Sequence, residues 1–365
     1  MKVCFFLNGF CTNGGIGRVT SVLANCLAEK EEMQVVTLSY FRENLPQLFS
    51  LSPKIQQEFF LEHPQSMAKT MLQGGEFKLR AFLKKNKIDV LVACGSLYFP
   101  VSVRACKWTN TKCVCWEHTN PNVASDYKFQ KAARKYGACH SDCNVVLTKS
   151  AVQAYSEMFH TKNTVQIYNP LDARILECAS DYNTTSKRIV SVGRLSYPKY
   201  FEMAIEIAAE VLPGRPEWSW DIFGEGEART KLAALIHEKG LDDRMKLCGQ
   251  VNDIYNRYKN YAVMVMTSRY EGFPMTLLEG LGNGLPLVSF DIATGPNEII
   301  RNEENGYLIP PFDKKQMVVR LERLMDDASL REKMSAEARK DCAAFSQDAI
   351  VKQWEALLRQ LAEGK

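Results

Sequence analysis

Short apolar runs alternate with longer amphipathic stretches from one end of the chain to the other. In the first half the runs are Val3–Leu7, Gln34–Ser39, Asp89–Ala93, Lys112–Trp116, Asn144–Leu147 and Thr164–Ile167. In the second half they are Arg188–Val192, Trp218–Phe223, Met245–Cys248, Ala262–Met266, Pro286–Phe290 and Gly306–Ile309. They are rich in β-branched residues, and many are separated by spacers of helical length. That pattern predicts parallel strands buried on both faces by crossover helices. It occurs twice, so two α/β units are expected. The polar stretch Asp172–Lys187, ending DYNTTSK, places the boundary, giving units over 1–172 and 173–346. Gln347–Glu363 has the spacing of an amphipathic helix, so 347–365 is expected to end the chain as one.

Composition agrees with this and excludes some classes. A chain of 365 residues accommodates two domains of ordinary size, and 46% hydrophobic with 24% charged residues is a globular composition. The opening MKVCFFLNGF has neither a long apolar region nor a small-residue cleavage site, so it reads as a first strand, not a signal peptide. No uninterrupted apolar stretch of about 18 residues is present to span a membrane. Most of the twelve cysteines, among them Cys4, Cys94, Cys113, Cys115 and Cys248, sit in strand-like runs and are expected to be reduced and buried. The spacings Cys113-x-Cys115 and Cys139-xxx-Cys143 do not fit a zinc ribbon. Residues 1–185 carry 21 Lys and Arg against 15 Asp and Glu, while 186–365 carry 25 against 27. A basic first half suits an anionic partner there, although such charges also serve as a solvated face.

Four segments carry candidate chemistry. Asn13-Gly-Gly-Ile-Gly-Arg-Val19 follows the first strand and opens a helix, where backbone N–H groups approach a phosphate closely. The same glycines also suit tight packing. They do not match a nicotinamide fingerprint, and Tyr40-Phe41 stand where an acidic ribose ligand would follow the second strand. Trp116-Glu-His-Thr-Asn120 lies at the carboxyl end of a strand, the edge at which open α/β sheets bind ligands; His118 is either a site residue or a structural one. In Val192-Gly-Arg-Leu-Ser-Tyr-Pro-Lys199, Arg194 and Lys199 put two cations at one strand end, either to bind a diphosphate or as solvated charges. The most specific segment is Glu271-Gly-Phe-Pro-Met-Thr-Leu-Leu-Glu279. It has Glu271 in a turn and Glu279 about two turns into the following helix. Two carboxylates in so apolar a setting need a polar partner or ligand.

Taken together, the glycines near the N-terminus, G-R-L-x-x-x-K, E-x(7)-E, Tyr168-Asn-Pro170 and G-L-P-L-V-S-F-D…T-G-P-N-E-I-I resemble the GT4 glycosyltransferases of GT-B fold, in order and over nearly the whole chain. The resemblance implies two Rossmann-like domains with parallel sheets facing across a cleft, the last helix returning to the first domain. It implies that Glu271 binds the donor sugar, helped by the backbone of Gly272, Phe273, Pro274 and Met275. Glu279, with Leu278 beside it, holds the ribose; Arg194 and Lys199 neutralise the diphosphate; Gly15, Ile16 and Gly17 reach it from the first domain. His118 would lie beside the reacting face of the sugar, and Gly224 and Val251 would border phosphates and base.

Two positions depart from the pattern: Tyr200 stands where many relatives have Gly, and Gly17 where many have an acidic residue. The family implies retention of anomeric configuration, and no residue offers itself as a double-displacement nucleophile. No D-x-D is present, so neither metal nor cofactor is required, and no nucleic-acid partner is expected. The expected donor is a UDP-sugar carrying a hexose or N-acetylhexosamine. The expected acceptor is a glycan or lipid-linked carrier in surface polysaccharide synthesis. The alternatives are a GT-B-fold epimerase, an NAD-dependent oxidoreductase, disfavoured by the failed fingerprint, or a non-catalytic nucleotide-sugar-binding protein. The cationic stretch Lys69–Lys87, with Phe77, Leu79, Phe82 and Leu83, and the later Lys128, Lys131, Arg134 and Lys135, suit an anionic membrane surface equally with a core helix under solvated lysines. A cytoplasmic protein, peripheral on the inner face of the membrane, is the corresponding expectation.

Overall fold

Consecutive apolar residues become strands wherever helices cover both sheet faces. The computed structural model describes residues 1–11, 14–42, 45–121 and 128–364. In the first unit the strands are β1 (Lys2–Leu7), β2 (Gln34–Phe41), β3 (Gln56–Leu61), β4 (Val90–Cys94), β5 (Lys112–Trp116), β6 (Cys143–Val146) and β7 (Thr164–Gln166). In the second they are β8 (Arg188–Val192), β9 (Ser219–Phe223), β10 (Met245–Gly249), β11 (Val263–Met266), β12 (Leu287–Phe290) and β13 (Gly306–Ile309). The chain divides into one unit of residues 1–170 with 347–365 and another of 171–346.

The first unit is a seven-stranded sheet in the order β3-β2-β1-β4-β5-β6-β7, and every pairing is parallel. Its core includes Phe6, Leu38, Leu79, Leu83, Leu91 and Phe99. The amphipathic helix Gln347–Glu363 belongs to this unit, and its Trp354 meets Trp116 at the end of β5 edge-on, centroids 4.7 Å apart. The second unit is a six-stranded parallel sheet in the order β10-β9-β8-β11-β12-β13. Its core is built from Ile189, Trp220, Ile222, Val265, Val288 and the helices over them. Each strand order reverses between two adjacent strands, β1 and β4 in one unit and β8 and β11 in the other. Parallel α/β sheets offer a crevice at the carboxyl ends of such a pair.

Four expectations are corrected. β3 carries no long apolar run, because as an edge strand it buries little beyond Phe60. The stretch 172–187 lies inside the second unit. It holds the helix Ala173–Cys178, whose N-cap Asp172 accepts a hydrogen bond from the Arg174 amide at 3.1 Å. Cys248 is exposed, since it lies on edge strand β10. Glu279 is the fifth residue of the helix Met275–Gly282, one turn in and not two.

Candidate active site

The carboxyl end of β8 runs into Gly193-Arg194, and a single 3-10 turn, Tyr197–Lys199, follows. The carboxyl end of β11 runs into the loop that carries Glu271. β8 and β11 are neighbours, so both loops open at the point of strand-order reversal, and there Lys199 Nζ donates to Glu271 Oε1 at 2.6 Å. Ser268 Oγ donates to the same oxygen at 2.7 Å, and Thr294 Oγ1 holds the Glu271 carbonyl at 2.5 Å. The two ion-pair side chains are only 21% and 13% exposed, so water screens the pair incompletely.

Eight residues on, Glu279 is buried and accepts from Tyr258 Oη at 2.6 Å. Between the two carboxylates in the chain the helix Met275–Gly282 begins, with Pro274 as its N-cap and no side-chain cap. Phe273 turns its ring inward toward Phe345, centroids 5.9 Å apart, and is buried. Leu278 is fully buried and its amide is engaged by the Pro274 carbonyl at 3.2 Å, so it supports the helix and offers no polar group. Arg194 projects outward, 73% exposed, and pairs with Glu227 at 3.1 Å. The loop after β9 is tied to this one: Leu195 donates its amide to the Glu225 carbonyl at 2.9 Å. A side chain at Gly224, φ 138°, would overlap the Gly193 carbonyl, so the close approach of these two loops requires glycine there. Val251 follows β10 at the same edge, half-buried.

Tyr200, the departure from the family pattern noted in the sequence, holds the left-handed conformation that glycine would favour, φ 51° and ψ 44°. Such a residue costs about 1–2 kcal/mol. Its ring lies 3.3 Å from the Arg269 guanidinium carbon, which is also 4.6 Å from the Tyr197 ring. Thr267 Oγ1 donates to the carbonyls of both Lys199 and Tyr200 at 3.1 Å, and the Arg269 amide to Pro198 at 2.8 Å. The Lys199 backbone is therefore pinned to the β11 loop on both sides.

In the first unit the glycine segment splits into two roles. Asn13 lies outside the described residues. Gly14 caps the helix Gly15–Ala28 without a side-chain bond, and a Cβ at Gly14 or Gly15 would meet nothing within 4 Å. A Cβ at Gly17 would lie 3.1 Å from the Gly9 carbonyl, a contact tight enough that any side chain here requires a small shift of that backbone. Ile16 is half-buried beside them. His118 follows β5, its ring 4.3 Å from that of Trp116. Burial pushes the imidazole down to about 3, so His118 is neutral near pH 7, and its Nε2 has no hydrogen-bond partner among the described residues. Glu117 beside it accepts from Arg134 Nε at 2.8 Å and from the Thr119 amide and hydroxyl at 3.0 and 2.7 Å. This buried pair fixes the loop that presents His118.

The contacts absent from the sequence reading join residues far apart in the chain: Tyr258 to Glu279, Arg134, read only as a surface cation, to Glu117, and Arg269 to Tyr200. Only Ser268, three residues from Glu271, was close enough for local sequence to suggest.

At the reversal point of the second sheet the structure thus gathers Lys199, Glu271 and, one helical turn on, Glu279, with an uncapped helix start between the carboxylates. Residues 13–174 match the family model Glycosyltransferase Family 4, and residues 177–341 match Glycosyl transferases group 1. The chain belongs to the GT4-type glycosyltransferases, and its fold is GT-B. An uncharacterized glycosyltransferase of Haemophilus influenzae is 26% identical over 357 residues, covering 98% of this chain and 99% of its own. The amylovoran biosynthesis glycosyltransferase AmsD of Erwinia amylovora is 26% identical, with the same coverage. A crystal structure of S. aureus TarM in complex with fondaparinux, alpha-GlcNAc-glycerol and UDP is similar in fold. Its TM-score is 0.83 at 16% identity, over 98% of this chain and 99% of that one.

Proposed function

We propose that this glycosyltransferase moves a hexose or N-acetylhexosamine from a UDP-sugar to a glycan or lipid-linked acceptor in bacterial surface polysaccharide synthesis, with retention at the anomeric carbon. The observation that carries the reading is the Lys199–Glu271 pair at the β8–β11 reversal, with Glu279 one helical turn beyond it. The name of the Erwinia relative and the UDP in the TarM complex support the substrate classes.

In this reading Glu271 exchanges its bond from Lys199 for hydroxyls of the donor sugar, and Lys199 turns to the diphosphate. Arg194, exposed beside Glu227, adds a second cation. Glu279 accepts from the ribose. The bond from the anomeric carbon to the departing phosphate oxygen breaks as the acceptor oxygen attacks from the same face. The acceptor proton passes to that phosphate oxygen. Lys199, Arg194 and the helix dipole stabilise the charge that grows on the leaving group. His118, held neutral, offers a hydrogen bond and no charge. Val251 and Gly224 border the base and phosphates, and the open Gly14–Gly15 helix start supplies amides to an anion.

A panel of sugar nucleotides incubated with acceptor glycans, read by nucleoside diphosphate release and the anomeric configuration of the product, tests the proposal. Equimolar diphosphate and α-linked product from an α-linked donor supports it. An inverted product, a new sugar nucleotide without diphosphate, or no turnover with any donor refutes it.

A further inference from the structure

A buried indole ordinarily gives its one N–H to an acceptor, and two in the first unit do not. Trp116, at the end of β5, and Trp354, on the helix Gln347–Glu363, are both fully buried. Neither Nε1 has a hydrogen-bond partner among the described residues. Their rings meet edge-on, centroids 4.7 Å apart. Trp116 also lies 4.3 Å from the His118 imidazole, the planes tilted by 47°. The buried Nε2 of His118 is without a partner among the described residues as well. Three rings thus touch in a row, and packing, not hydrogen bonding, sets where they sit.

The members of this row are restrained differently. The sheet fixes the Trp116 backbone, which pairs with Cys94 of β4 and Val145 of β6. Its indole turns about the side-chain torsions unless neighbours fill the space around it. Trp354 fills that space. The helix that carries it packs on the helix Gly15–Ala28 and on β4, burying Ile350, Val351, Trp354 and Leu358. Ion pairs anchor it further: Arg359 to Glu32 at 2.7 Å and Lys30 to Glu355 at 3.9 Å. The charged groups beside His118 engage one another, with Glu117 accepting from Arg134 and, at 3.5 Å, from Tyr155 Oη. Burial is thus what keeps the imidazole neutral, and Trp116 supplies a ring that covers it.

We propose that Trp354 is a positioning residue for the transfer reaction, holding the His118 ring at the carboxyl end of β5 through Trp116. The inference rests on the role given to His118 under the proposed function. Without the Trp354 ring, the Trp116 indole turns into the space left behind. His118 then loses the wall that orients it and excludes water, so its Nε2 no longer keeps one direction and the ring protonates more readily. A tryptophan kept for its hydrogen bond would tolerate phenylalanine poorly, because an acceptor would be left unpaired. Here no acceptor among the described residues depends on the indole N–H, so phenylalanine at 354 preserves the edge-on contact. Leucine does not, since it removes the ring. Donor binding is assigned to Lys199, Glu271 and Glu279 in the second unit and stays intact in either variant.

The test joins an NMR titration of the histidines to steady-state kinetics, both on the full chain. The chain has five histidines, and the His118 signals are those lost in His118→Gln. In the wild type His118 should stay neutral for as long as the protein is folded. In Trp354→Leu its midpoint should rise toward the ordinary 6.5. The same variant should lose kcat by about ten- to 100-fold while the donor KM stays within about twofold, the effect of a small misplacement of a reacting group. Trp354→Phe should restore both readouts. Leu358→Ala, one turn further along the helix, should lower the melting temperature and leave kcat and the His118 titration as they are. A titration unmoved in Trp354→Leu, an equal loss of kcat in Leu358→Ala, or a kcat that Trp354→Phe does not restore overturns the proposal. His118→Gln with wild-type kcat refutes the role of His118 itself, and a titration that still moves in Trp354→Leu tells that failure apart.

Discussion

Glu271→Gln keeps the shape of the side chain and removes its charge, which makes it the sharpest probe of the donor site. In the free protein Glu271 is neutralised by Lys199 at 2.6 Å and held by Ser268 at 2.7 Å, both side chains mostly covered. A pair of this exposure lies between surface pairs, worth about 0–1 kcal/mol, and fully buried ones, whose disruption costs about 3–5 kcal/mol. A loss of roughly 1–2 kcal/mol is therefore expected, which in a unit of this size lowers Tm by about 2–8 °C. The catalytic effect is larger. A hydrogen bond to a charged acceptor contributes about 1.5–3 kcal/mol, so kcat/KM should fall by about ten- to 150-fold. The variant also releases Lys199 from its partner, and UDP alone should bind at least as tightly as to the wild type. Calorimetric melting, UDP titration and diphosphate release measure the three quantities. A folded variant that keeps kcat/KM within twofold of wild type, or loses UDP binding in parallel with turnover, would refute the assignment of Glu271 to the sugar.

Lys199→Ala should damage donor use more than Arg194→Ala, because Lys199 is mostly covered and Arg194 is 73% exposed; equal effects in steady-state kinetics would argue against that ranking. His118, pushed down to about 3 by burial, leaves a proton on the unfolded chain alone between that value and its ordinary 6.5. Stability is then complete above pH 6.5 and falls as pH drops toward 3, by at most about 1.4 kcal/mol per pH unit. His118→Gln should flatten that slope in melting curves and leave no missing inflection near pH 6.5 in kcat/KM. At Tyr200, alanine keeps the left-handed strain and loses the Arg269 stack, whereas glycine relieves the strain. Tyr200→Ala should thus melt below Tyr200→Gly, and the reverse order would remove the strain argument.

How much the sequence discloses depends on the range of the interaction. Strands buried on both faces write themselves as consecutive apolar residues, so β5, β8 and β13 appear in the sequence at their observed limits. β3 does not, because an edge strand beginning Gln-Gln-Glu has one covered position to advertise it. The same division holds at the site. Glu271, Gly272 and Pro274 form a local turn and are readable as a string, and so is the helix after them, although the sequence set Glu279 a turn too deep because the helix begins only at Met275. Tyr258, 21 residues before Glu279, reaches it only because the helix Ile254–Tyr258 precedes β11, a tertiary fact without a local signal. The glycine segment shows the limit from the other side. Its spacing suits a phosphate loop or tight packing, and the two divide along it: a Cβ at Gly17 would press on the Gly9 carbonyl at 3.1 Å, whereas Gly14 and Gly15 face open space.

Tyr200 shows how a departure from a family pattern becomes interpretable once its neighbours are known. Read along the chain, a bulky residue after the diphosphate lysine looks like a disturbance of the loop. In space it lies between Thr267, which accepts no slack in the Lys199–Tyr200 backbone, and Arg269, whose guanidinium covers its ring. The left-handed backbone is retained because contacts on both sides over-determine it, the circumstance in which strained conformations persist near functional groups. The consequence falls on Lys199. A glycine at position 200 would leave the 3-10 turn free to shift by small changes in φ and ψ, and the ammonium at its end would shift with it. Tyrosine removes that freedom, so Lys199 meets Glu271 from a fixed origin and its long side chain supplies the remaining motion. On this account the substitution trades a little backbone strain for a better-defined cation. Its effect should therefore appear in donor affinity when Arg269 is replaced by Ala, even though Arg269 itself need not touch the diphosphate.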